Sequence, residues 1–364
     1  MKENERLVSL DAFRGFTIAA MIMVNNPGSW SHIYAPLEHK PWNGITPTDL
    51  IFPFFIFIVG VSIALAYTKR LETGLPKKDM LRKIVWRSVK IFAVGIFLNL
   101  YPKFNFADLR IAGVLQRIAL VFLVCAILFL TTKWKKQAII AAVILVIYWI
   151  FMVFIPTPGC GQPMLEPGVN LAAWVDSYLL PGRMWQKTWD PEGLPSTLPA
   201  IASGITGMLA GTLLLSKKTI EQKIIWLFTA GFLAATIGVI WSWSFPLNKN
   251  LWTSSFVLVT SGLATMTLAA SLFLIDSLGF KKYAKPWVIF GSNAISVYVL
   301  SGLIGYLFRG IPIGGVSVKD HFMNFFTGMG AEPKFVSLIW ALLYVGLLFI
   351  PAWILYKKKI FIKL

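Results

Sequence analysis

Apolar runs follow one another along almost the whole chain, broken by short clusters of Lys, Arg, Pro and Gly. A run of about 20 residues crosses the hydrocarbon of a bilayer as one helix. The pattern predicts ten such spans, at roughly 7–26, 46–68, 84–101, 109–130, 136–155, 196–215, 223–243, 251–275, 287–308 and 335–356. Trp86, Trp134, Trp226, Trp252 and Trp287 flank them as interfacial anchors. Asp11 and Arg14 interrupt the first run and no small-residue cleavage site follows, so it reads as a span and not as a removable leader. The expected fold is an all-α integral membrane protein, a bundle of about ten transmembrane helices forming one domain over 1–364.

Mean hydropathy of +0.69, with 57% hydrophobic and only 14% charged residues, exceeds what a soluble core requires. The formal charge of +18 raises the question of nucleic acid, but the cations are distributed by loop. One set of inter-span segments, running from Lys2 and Arg6 to Lys363, carries 21 Lys and Arg; the alternate set, which includes Arg309, carries 8. The positive-inside rule then places both termini in the cytoplasm and accounts for the charge without nucleic acid. Cys125 falls in a span and Cys160 in a loop toward the other face, so no disulfide is expected.

Two of the outer loops are long, 27–45 and 156–195; a third outer segment, 309–334, carries His321 and is expected to hold a partial helix or a re-entrant piece. The first concentrates the chemistry. Two of the three histidines, His32 and His39, lie in it, together with Trp42 and Asn43, between Asn25 at the end of one span and Asp49 at the start of the next. Histidine is suited to moving protons near neutral pH. Adjacent helices joined by one loop are neighbours, so Asn25, His39 and Asp49 are able to converge. His32 reads more simply as a solvated side chain. Thr46, Thr48 or Asp49 is placed to cap the helix that follows.

Charges inside spans are costly, about 2.5–3.5 kcal/mol each on insertion scales, and usually face protein or a cavity. Asp11 and Arg14, three apart, read either as an ion pair or as an anion contact. Arg117, preceded by Gln116, lies too deep to snorkel and reads either as a ligand contact or as an interhelical hydrogen-bonding group. The sequence has no metal signature, no G-x-G-x-x-G, no P-loop and no serine elbow. Histidine chemistry then leaves proton transfer, acyl transfer or proton-coupled transport.

The blocks SLDAFRGF (9–16), VNN (24–26), EHKPWNGITPTDLIFPFFIFIVG (38–60), GVLQRI (113–118) and DPEGLPSTLPAI (190–201) resemble the heparan-alpha-glucosaminide N-acetyltransferase family and its bacterial, NagX-like relatives. The resemblance implies transfer of an acetyl group from cytosolic acetyl-CoA to a glucosamine amine across the membrane, with the active-site histidine at His39 and its partner asparagine at Asn25. Under this expectation Asp49 orients the imidazole, and His39 acts as general base or as acyl carrier. Arg14, Gln116, Arg117 and Asn293 are the candidate acetyl-CoA contacts, and Trp42, Asn43, Asp190 and Glu192 the candidate contacts for an aminosugar or glycan acceptor. Expected partners are membrane lipids and a second copy of the chain, and the expected location is the bacterial inner membrane. The rival reading is a transporter of N-acetylglucosamine or a related sugar; such proteins usually show paired halves with broken helices, and no internal symmetry is evident here.

Overall fold

A computed structural model describes residues 7–310 and 312–362. Lys2, Arg6 and Lys363, and the side chain of Arg309, lie outside the described residues. The described residues are mostly helical: α1 Val8–Asn25, α2 Pro47–Glu72, α3 Lys77–Leu100, α4 Val114–Thr131, α5 Trp134–Phe154, α6 Leu171–Leu179, α7 Leu194–Leu214, α8 Ile220–Trp241, α9 Ser254–Ser271, α10 Lys281–Ser292, α11 Ala294–Gly310, α12 Val318–Gly328 and α13 Pro333–Lys357. A two-residue hairpin, β1 Pro312–Ile313 with β2 Val316–Ser317, precedes α12. Helices suit these apolar runs because they satisfy every interior backbone group within one segment.

Each expected span holds helix, but the count differs. Among the described residues eight helices are long and apolar enough to cross a bilayer, or nine if a bent pair counts as one span. The exception is α3, whose opening turns carry Lys77, Lys78, Arg82 and Lys83 and whose interior carries Arg87 and Lys90. The expected continuous span 287–308 is also interrupted: α10 and α11 meet at a 70° bend. Asn293 stands at that break, donating from its amide to Ile360 O (3.0 Å) and accepting from Ile362 N (2.9 Å). The side chain thus binds the C-terminal tail at the point where the helix stops. The segment 309–334 contains α12, with His321 exposed on it.

The chain gathers into two compact units. The first comprises the chain up to Lys40, Thr46–Phe52 and everything from Ser271 onward. In it α1 lies along α10 at a distance only small residues allow: a Cβ at Gly15 would collide with the Trp287 carbonyl, and one at Gly291 with the Asp11 carbonyl. The second comprises Pro41–Ile45 and Pro53–Ala270. There α2, from Pro53 onward, meets α7 through Gly60 against the Gly204 carbonyl and Gly207 against the Phe57 carbonyl. Where apolar helices already sit in apolar lipid, such close backbone approach supplies the packing attraction that hydrophobicity cannot.

Candidate active site

Asp49 is the third residue of α2 and is fully buried. Its Oδ1 lies 2.8 Å from His39 Nδ1. Its Oδ2 accepts from Lys40 N (3.1 Å), Thr46 N (3.1 Å) and the Thr46 hydroxyl (3.1 Å). Lys40 and Thr46 flank the excursion Pro41–Ile45, so one carboxylate both orients the histidine and closes the neck of its loop. The Thr46 hydroxyl also lies 2.7 Å from Glu38 O, and Thr48 Oγ1 donates to Pro36 O (3.2 Å). The local sequence explains this: Thr46 precedes Pro47, a residue suited to a first helical turn, and Asp49 reaches back to the Thr46 N–H in a capping arrangement. A carboxylate only accepts, so the Nδ1 facing it carries the proton, which leaves Nε2 of the neutral ring with a lone pair. The His39 side chain is 38% exposed, open enough for a reactant to approach.

Asn25 ends α1, half-buried, and its side chain makes no hydrogen bond among the described residues; the next residue, Asn26, turns its amide back to Ile22 O (2.8 Å). Arg14 pairs with Asp11 at 3.2 Å.

Within the second unit, Trp42 donates to Leu165 O (2.9 Å) and stacks edge-on to Trp189. Asn43 Oδ1 accepts from Asn248 Nδ2 (3.1 Å), the two residues form an antiparallel bridge, and Gly44 N donates to Leu247 O (2.7 Å). Gly44 has φ 99°, a conformation that favours glycine. Asn248 is buried and was not foreseen; the only sequence signal for it was a Pro- and Asn-containing turn, FPLNKN, between two apolar runs.

Arg110 binds Asp190 through two nitrogens (2.7 and 2.6 Å) and also contacts Glu192, with its guanidinium over the Trp185 ring. Asp190 takes two further backbone bonds, from Trp185 N and Glu192 N. Burial works to raise the Asp190 pKa, but Arg110 overrides it and holds the carboxyl below its usual range. Both oxygens of Asp190 are therefore committed to the loop itself.

Deeper, Arg117 is 1% exposed; it donates to Gly193 O (3.3 Å) and to Ser196 Oγ, and it lies over Trp252. Its Nε and Nη1, and Gln116 Nε2, have no hydrogen-bond partner among the described residues. Asp176, on α6, was also not foreseen. It is buried and accepts from Leu194 N (2.8 Å) at the start of α7. Burial, helped by the charge of Asp190 and opposed by the Leu194 N–H, pushes its pKa up to about 7. No group of three or more His, Cys, Asp or Glu able to hold a metal occurs among the described residues.

A family model described as the catalytic part of heparan-alpha-glucosaminide N-acetyltransferase matches residues 6–245. That range includes His39, Asp49, Arg117 and Asp190. The chain is 29% identical to the human heparan-alpha-glucosaminide N-acetyltransferase and 28% identical to the mouse protein of that name, over 99% of its own length. It spans about 60% of the length of each relative. With the matched range covering well over half of the residues, this chain belongs to the heparan-alpha-glucosaminide N-acetyltransferase catalytic family.

Proposed function

We propose that this multi-pass membrane protein is an acetyltransferase of a single catalytic domain, which moves an acetyl group from acetyl-CoA to the amine of a glucosamine-type sugar, with His39 as general base. The observation that carries the reading is the His39–Asp49 pair. The carboxylate fixes the Nδ1–H tautomer, so Nε2 accepts a proton from the sugar amine as its nitrogen attacks the thioester carbonyl. The C–N bond forms, the C–S bond breaks, and CoA leaves as the thiolate. Asn25, whose amide has no partner among the described residues, donates to the developing oxyanion.

The unpartnered donors of Gln116 and Arg117 suit the amide carbonyls of the pantetheine arm. Arg14, and the basic tail Lys357–Lys359 that Asn293 helps to hold, suit the nucleotide phosphates. Asp190 and Glu192 serve the acceptor by fixing the outer loop through Arg110, and Trp42 and Asn43 by anchoring the tip of the His39 loop. Counting α3 and the bent pair as crossings gives ten spans. Both termini then lie on the cytoplasmic side, with the donor taken from within and His39 toward the outside. The proposed setting is the bacterial cytoplasmic membrane, with the chain as a homodimer.

The test is acetyl-CoA-dependent N-acetylation of glucosamine by the purified protein in liposomes. His39→Ala is expected to abolish turnover while the protein still folds. Full turnover by that variant refutes the role of His39. Sugar uptake with no acetyl transfer refutes the enzymatic reading.

A further inference from the structure

In the second unit α3 runs along α4 and buries one stripe, Met80, Ile84, Ser88, Ile91 and Gly95, with the Ser88 hydroxyl donating to Ala119 O. Lys83, Arg87 and Lys90 follow the i, i+4, i+7 spacing and form a second stripe along one edge of the first. Lys83 and Arg87 are exposed and Lys90 is half-buried. The Arg87 guanidinium lies over the Phe122 ring of α4, 4.8 Å from its centroid. The last turns of α2 add Arg70, 5.0 Å from the centroid of the Tyr67 ring, and the charge of Arg87 bears on the same tyrosine. Cations from two helices therefore gather along the edge where α3 meets α2 and α4.

Two of them have no carboxylate. Lys83 and Lys90 make no ion pair among the described residues, and Asp79, the acid in the first turn of α3, is exposed and reaches neither. Like charges at i, i+4, such as Lys83 and Arg87, destabilise a helix that gives them no counterion. Lys90 lies seven residues beyond Lys83, about 10 Å farther along the axis, so the stripe runs from the basic end of α3 toward its apolar half. A cation at such depth needs a partner or a route to the interface. Helical side chains lean toward the N-terminus, so Lys90 reaches back toward Arg87 and Lys83. Farther round the same helix Val85, Trp86 and Val89 are exposed, a surface that suits acyl chains. A basic stripe beside an apolar face matches a lipid whose headgroup carries a phosphate anion and whose chains lie along the helix.

We propose that this edge of α3 binds an anionic phospholipid, with Lys83 and Lys90 holding the headgroup phosphate and Arg70 and Arg87 flanking it. The lipid supplies the counterion that the chain does not, and it ties the ends of α2 and α3 together. The site is independent of the chemistry at His39 and stands whether or not the chain transfers acetyl groups.

The experiment titrates phosphatidylglycerol, and phosphatidylcholine as reference, into the full chain in detergent and reads bound lipid by native mass spectrometry. The wild type is expected to prefer phosphatidylglycerol. One cation near a headgroup is worth about fivefold in affinity, so the Lys83→Gln, Lys90→Gln double variant should bind phosphatidylglycerol at least about tenfold more weakly, with phosphatidylcholine unchanged. The Lys83→Arg, Lys90→Arg double variant should restore most of the preference, which separates lost charge from lost fold. Lys217→Gln with Lys218→Gln, a change in another exposed basic segment of the same unit, should leave it intact. Equal phosphatidylglycerol binding by the wild type and the Lys83→Gln, Lys90→Gln variant overturns the site. So does an equal loss in the Lys217→Gln, Lys218→Gln variant, which would show only a general surface charge. Binding of coenzyme A that depends on Lys83 and Lys90, with none of phosphatidylglycerol, overturns it as well.

Discussion

Replacing Asp49 with asparagine separates the two jobs of that carboxylate. Oδ2 receives Lys40 N–H, Thr46 N–H and the Thr46 hydroxyl, whereas Oδ1 faces His39 Nδ1–H. An amide has one oxygen. Placing it toward the loop neck retains those donors; placing it toward His39 turns an NH2 against them and forfeits two or three bonds, at about 1 kcal/mol each. The amide oxygen therefore takes the Oδ2 position and the NH2 faces His39. It then donates to Nδ1, and the proton of the neutral ring moves to Nε2. The loop keeps its shape but the base is blocked. A fixed wrong tautomer of this kind costs on the order of 10²–10⁴ in kcat, or about 3–5 kcal/mol of barrier. The assay is CoA thiol release at saturating acetyl-CoA and glucosamine, with a thermal unfolding midpoint on the same preparation. The expected result is a kcat lower by at least about a hundredfold, with the midpoint nearly unchanged. A kcat within a few-fold of wild type would refute both the tautomer argument and the general-base role.

Asp176 makes stability depend on pH. Its pKa is raised from 3.8 to about 7 in the folded chain, so the folded state binds more protons and stability falls as pH rises between those values. At about 1.4 kcal/mol per unit, the loss is on the order of 4 kcal/mol at most. Asp176→Asn should raise the unfolding midpoint at pH 8 and leave it unmoved near pH 4; a pH-independent effect would rule the account out. Arg110→Ala strands the buried Asp190 carboxylate and should cost about 3–5 kcal/mol, read as early unfolding and as proteolysis in 156–195, whereas unchanged protease resistance would contradict it. Gly60→Val drives a side chain into the Gly204 carbonyl and should cost at least about 1–3 kcal/mol, measured as loss of monodisperse protein in detergent; a normal elution profile would show that α2 and α7 have room to separate.

Much of this protein was legible along the chain because its strongest signals are local. Spans are read from runs of apolar residues, and the helices at 8–25, 114–131, 134–154 and 333–357 fall where those runs do. The Asp49 cap was legible too, since Thr-Pro-x-Asp is a helix start by its own chemistry, and a histidine beside it invited the pairing at 2.8 Å. What the linear order left open depends on groups far apart in sequence. Asn293 looked like a possible donor contact and instead holds residues 360 and 362, because a side-chain amide at a helix break serves as both donor and acceptor. Asp190 stood out as a candidate acceptor contact, and its pairing with Arg110, 80 residues away, was not visible along the chain. Asp176 and Asn248 carried no motif; their roles arise only once helix ends and loop turns are brought together. Hydrophobic periodicity determines which segments enter the bilayer, but the partners of polar groups are decided by three-dimensional proximity, since a buried donor or acceptor must be satisfied by whatever the fold brings within about 3 Å.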